Sequence, residues 1–149
     1  MYEKVLLPLD GSALAECVLP FARALAEGGL TRAMILFNVV EVPSAWIVQG
    51  INLMDVRKYR ADHAQKYLSD LQAKMNFRGV RVETEVMEGD TAHLIAEYAK
   101  NNAVSLIIIA THGYTGMKRL MFGSVALKIL HDAHVPVLLV RPESSRYSV

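Results

Sequence analysis

Between Ala110 and Val125 the chain gathers Thr111, His112, Gly113, Gly116, Lys118, Arg119, Gly123 and Ser124. Glycines let a backbone come close to phosphate oxygens, and a helix opening at Gly123-Ser124 offers free N–H groups with a favourable dipole. The Ser124 hydroxyl adds a hydrogen bond, and Lys118 and Arg119 bring positive charge to the same stretch. The same residues also suit a plain loop with two left-handed positions, closed by Ser124 as a helix cap. Residue types alone leave both readings open. A second polar cluster, Asp10-Gly11-Ser12, follows an apolar run and reads as a turn that caps the next helix. There is no Gly-x-x-x-x-Gly-Lys-Ser/Thr sequence and no second acidic cluster for magnesium, which leaves a phosphoryl-transfer apparatus without its parts.

These residues need a scaffold. Val5–Leu9, Met34–Val40, Leu106–Ala110 and Val137–Val140 are short, continuously apolar and rich in branched residues, the pattern of buried parallel strands. In Val80–Met87, Val80, Val82, Thr84 and Val86 alternate with Arg81, Glu83 and Glu85, which predicts a strand wet on one face at a sheet edge. Helices fit between the strands. The first presents Leu14, Cys17, Val18, Phe21, Ala22 and Leu25 as one stripe, with Gly28-Gly29 as its stop and Pro20 predicting a kink or a late start. A long polar helix spans Asp55 to Met75, a third runs from an Asp90 cap through Tyr98, and a fourth begins at Gly123-Ser124.

Strict alternation of strand and helix predicts an α/β, doubly wound, Rossmann-like fold. It is a single domain over residues 1–149, with a five-stranded parallel sheet in the order 3-2-1-4-5 and helices on both faces. Ligands of such sheets bind beyond the carboxyl ends of the strands, where the strand order reverses. That selects Pro8 to Ser12, Val39 to Glu41, Glu88 to Asp90 and Ala110 to Gly116. The apolar segment from Glu41 to Met54, with Trp46 at its centre, is expected to pack over the helices, form a lid or meet a partner.

At 149 residues and 52% apolar content the chain can bury one core. A net charge of +1, with basic and acidic residues interleaved, argues against a dedicated nucleic-acid or membrane-surface protein. One cysteine, Cys17, excludes an intrachain disulfide framework and suits a reducing compartment. With no signal-peptide layout at Met1 to Lys4 and no apolar run long enough to cross a bilayer, a cytoplasmic protein without membrane insertion is expected.

Ala110-Thr-His-Gly113, nine further residues and then Gly123-Ser124-Val125 resembles the nucleotide-binding motif of the universal stress protein family. The Val5-Leu-Leu-Pro8-Leu-Asp10-Gly-Ser12 opening and the Val135-Pro136-Val137-Leu-Leu-Val140 ending are similar to the family's first and last strands. The resemblance covers essentially the whole chain and implies ATP as ligand. Asp10 would then lie near the ribose and phosphates or a magnesium or manganese ion, with Pro8 beside it. Val39 would meet adenine through its backbone. Thr111, His112, Gly113 and Gly116 would surround ribose and phosphates, and Gly123, Ser124 and Val125 would complete the phosphate cradle. Ala110 stands where the motif has its first glycine, so an ordinary strand conformation is required there.

The resemblance implies a stress-response regulatory protein that binds ATP and switches conformation or an unidentified protein partner, and not an enzyme. A slow ATP hydrolase or phosphotransfer enzyme is one alternative, and a nucleotide-free interaction module is the other; Gly113, Gly116, Gly123 and Ser124 weigh against the second. A receiver domain of similar architecture needs paired acids after its first strand and a lysine after its fifth. Asp10 has no acidic neighbour in sequence and Arg141 follows Val140, so that reading fails. Finally, Val137–Val140 carries no protective charge at a predicted sheet edge, and the expectation is a homodimer paired through that strand.

Overall fold

The computed structural model describes residues 1–42, 45, 50, 52–112 and 122–143. Five strands form one parallel sheet: β1 (Lys4–Pro8), β2 (Ala33–Val40), β3 (Arg81–Glu88), β4 (Leu106–Ala110) and β5 (Val137–Val140). Their order is β3-β2-β1-β4-β5, as the alternation of elements predicts. The chain leaves β1 toward one side and returns after β3 to the other, so the order reverses between β1 and β4. In register, Val5 lies beside Met34 on one flank and Leu106 on the other.

Side chains alternate between the two faces of the sheet. Val5, Leu7, Met34, Leu36, Leu106 and Ile108 face one layer, made by the 3-10 turn Ala15–Val18, α1 (Leu19–Glu27) and α2 (Leu53–Lys74). Leu6, Ile35, Phe37, Ile107 and Ile109 face the other, made by α3 (Thr91–Asn101) and α4 (Ser124–Asp132). Helices therefore cover both faces, and the central strands are buried throughout.

Two expectations need correction. The stripe Leu14, Cys17, Val18, Phe21, Ala22, Leu25 holds at Val18 and Ala22, which are buried, and at Cys17 and Leu25, which pack against the core, but fails at Phe21. Pro20 sits in the first turn of α1, where a missing N–H is tolerated, so the regular helix starts only at Leu19. Ala15 and Ala26 join Val18 and Ala22 in the core, while Phe21 is 44% exposed. Strand and helix ends also differ by one or two residues from the sequence reading, with α2 beginning at Leu53. β3 is an edge strand, as its alternation predicts, and Gln72 and Gln65 of α2 bond to Val82 O and Thr84 Oγ1 on it. No helix among the described residues is long and apolar enough to cross a membrane.

Candidate functional site

Above the carboxyl ends of β1, β2 and β4, at the reversal of strand order, lies a cavity of about 450 Å³. That falls within the usual size range of small-molecule sites. Pro8, Asp10, Val39, Ala110, Thr111, His112, Gly123, Ser124 and Val125 all line it, brought together from β1, β2, β4 and α4. Gly113, Gly116, Lys118, Arg119 and the Trp46 segment lie outside the described residues.

The cavity's apolar lining includes Phe37, Val39, Ala92, Ile95 and Ile109, which belong to one core cluster or, for Val39, pack against it. Its polar lining includes the start of α4, with Gly123 as the residue before the first turn and Ser124 exposed at its first position. Ser124 is thus inside the helix rather than its cap, and the Gly123 N–H donates to the carbonyl of Thr111 over 2.6 Å. Gly123 has φ −70° and ψ 161°, angles open to any residue. What favours glycine is proximity: a Cβ there would come within 3.2 Å of Thr111 O, a tight contact, and 3.8 Å of His112 Cα, an ordinary one. Ala110 lies within strand β4, and its φ is not among the positive values of the described residues, so the methyl group is accommodated.

Asp10 is held by a local turn. Its Oδ1 accepts from the Ser12 N–H at 2.9 Å and the Ser12 hydroxyl at 2.6 Å, while Ser12 Oγ accepts from the Ala15 N–H. Gly11, at φ +86°, takes a left-handed conformation that an L side chain would strain. The chain just before this turn is pinned by Asn38, a buried amide on β2 whose Nδ2 donates to Leu9 O at 2.7 Å. Tyr67 of α2 donates to Glu16 Oε1 at 2.9 Å beside the same turn. Burial, then that bond and the charges of Glu16 and Asp10, hold the tyrosine hydroxyl protonated well above its ordinary range.

Asn38→Ala should therefore loosen the Asp10 turn. It leaves the buried Leu9 carbonyl without that donor, at about 1–3 kcal/mol. Urea unfolding checks this, and an unchanged midpoint would show that the amide is dispensable.

The rim carries three carboxylates. Glu41 Oε1 accepts from the Thr91 hydroxyl at 2.6 Å and its N–H at 3.2 Å, and Asp90 Oδ1 caps α3 through the His93 N–H at 2.9 Å. Together with Asp10 they are structural acceptors for nearby backbone. Lys128, one turn beyond Ser124, is the only lysine or arginine among the described lining residues. The sequence reading missed Lys128 and Asn38. A four-residue step along a helix places Ser124 and Lys128 on one face, which is the signal that finds the lysine. Thr111 Oγ1 and His112 Nδ1 lie 3.0 Å apart, and both residues are buried. Among the described residues no three or more His, Cys, Asp or Glu side chains cluster as a metal site.

A second hollow, of about 630 Å³, opens at the amino ends of the strands around Lys4, Arg32 and Arg81. Arg32 and Arg81 pair with Glu3 and Glu83, and Lys4 Nζ donates to Asn102 O, so its positive groups already hold partners.

Fold and cavity together define a doubly wound α/β protein with a cavity at the switch point. The sequence profile of the universal stress protein family matches residues 1–141, and the chain belongs to that family. It is 32% identical over 154 residues to the universal stress protein YxiE of Bacillus subtilis, covering 95% of this chain and all of that one. It is 28% identical over 141 residues to the universal stress protein MJ0531 of Methanocaldococcus jannaschii, covering 95% and 83% of the two chains. Among solved structures, MJ0577 of the same organism superposes with a TM-score of 0.84 at 25% identity, covering 96% and 98%.

Proposed function

We propose that this chain is an ATP-binding regulatory protein of the stress response, acting in the cytoplasm, whose nucleotide-bound surface engages a protein partner. The observation that carries the reading is the convergence of Pro8, Asp10, Val39, Ala110, Thr111, His112, Gly123, Ser124 and Val125 on one cavity. Its mixed lining suits the two parts of a nucleotide. Phe37, Val39, Ile95 and Ile109 offer apolar surface for adenine. The amino end of α4 at Gly123 and Ser124 suits phosphate, through its backbone donors and dipole. Gly113 and Gly116 complete this cradle in the proposal. A magnesium or manganese ion would be held chiefly by the phosphates and water, with Asp10 as its protein ligand.

Binding rather than turnover is the proposed role. Asp10, Glu41 and Asp90 are each engaged in holding backbone, which leaves them poorly placed to activate water. Slow hydrolysis is the most that such a site supports. We also propose a homodimer paired through β5, which is hydrogen-bonded to β4 alone among the described strands.

Mg-ATP should raise the melting temperature of nucleotide-stripped protein, because a ligand that prefers the native state adds about 2.7 kcal/mol at a hundred times its dissociation constant. A melting curve unmoved by millimolar Mg-ATP would sink the reading.

A further inference from the structure

We infer that Lys128 determines how many phosphates the site prefers, favouring nucleoside triphosphates over monophosphates. The inference rests on the nucleotide reading above and deepens it. The described cavity wall bears three carboxylates, Asp10, Glu41 and Asp90, and one cation. Each added phosphate brings negative charge toward these acids and costs electrostatic energy unless a positive group offsets it. Among the described lining residues Lys128 is the lysine able to do so, and its side chain makes no hydrogen bond or ion pair to a described residue. Neighbouring cations are already engaged: Arg57 pairs with Glu88 at 2.9 Å, and Arg60 Nη1 donates to Glu41 O at 2.8 Å.

Its position decides which phosphate it meets. Ser124 stands at the start of α4, where the helix dipole and backbone donors act, and Lys128 is four residues on, about 6 Å along the axis at 1.5 Å per residue. Helical side chains lean toward the amino end, so the lysine stem leads back toward Ser124 along the same face. Lys128 is exposed and lines the cavity. The phosphate seated at the helix start is served by backbone, and those beyond it are served by Lys128. An ammonium on a flexible stem suits that task, since it pairs with phosphate as a point charge without fixed geometry.

The test is calorimetric titration of the full, nucleotide-stripped chain with ATP, ADP and AMP in magnesium-free buffer, for wild type and for Lys128→Met and Lys128→Arg. Methionine keeps the stem and removes the charge. ATP affinity should fall roughly tenfold in the methionine variant, the scale of one charge-assisted contact. AMP affinity should change less than about twofold, and arginine should restore the preference for ATP. In wild type the ratio of ATP to AMP affinity should shrink with added salt, as for any exposed ion pair. An equal loss for all three nucleotides, or none, overturns the role of Lys128 while leaving the nucleotide site intact. Wild type that binds none of the three overturns the nucleotide reading itself, and this inference with it.

Discussion

Gly123→Val should abolish ATP binding and also destabilise the fold. Valine can adopt the glycine's backbone angles, so strain in φ is not the cause. The cause is crowding between the end of β4 and the start of α4. Even a bare Cβ would lie 3.2 Å from Thr111 O, and the 2.6 Å bond from Gly123 N to that same oxygen opposes separation of the two segments. Accommodating a branched side chain therefore moves the first turn of α4, and with it the donors at Ser124 and Val125. The stability cost should be about 1–3 kcal/mol, as for other overpacked sites. Titration and urea unfolding measure the two effects separately. A folded variant that keeps wild-type affinity would place the phosphates away from α4. Ser124→Ala, which leaves the backbone alone, should weaken binding by about 1 kcal/mol, one neutral hydrogen bond.

The second large effect is on assembly. Leu138→Lys should convert a dimer to a monomer. β5 is an edge strand with Leu138 38% exposed and no charged residue to protect it, and α4 leaves Leu127 and Leu130 exposed nearby in the chain. An apolar strand edge with free backbone groups pairs readily with a second copy, and a two-fold axis makes that pairing antiparallel and closed. Lysine at Leu138 would set like charges against each other across such an axis. The tail at 144–149, the competing cover for this edge, lies outside the described residues. Light scattering that finds wild type monomeric at micromolar concentrations refutes the dimer, whatever the variant does.

The fold was largely legible because the strands are nearly pure apolar runs and the helices intervene one at a time. Strand order, parallel pairing and the wet edge at β3 all follow from that pattern. In the first helix Phe21 looks like a core residue by type yet is exposed, the small Ala15 and Ala26 are buried, and Pro20 sets where the regular helix begins. In the candidate site, position after the strands and the resemblance to the family motif single out residues that line one cavity. Asn38 was not legible, because one amide inside a buried strand signals nothing until its acceptor, Leu9 O, is known. Lys128 was not, because an exposed lysine on a helix is the commonest of surface residues. The reason for Gly123 was also illegible. Its spacing suggests room for phosphate, whereas its bare side abuts the Thr111 carbonyl.

Whether the cavity at the switch point holds a nucleotide is decided by one titration. Protein stripped by unfolding and refolding, its supernatant chromatographed to verify that no nucleotide remains, is titrated with Mg-ATP in a calorimeter. One site per chain is expected, with a dissociation constant in the micromolar range, and Gly123→Val should lose it. Absence of saturable binding up to millimolar Mg-ATP, in protein with wild-type secondary structure, would contradict it.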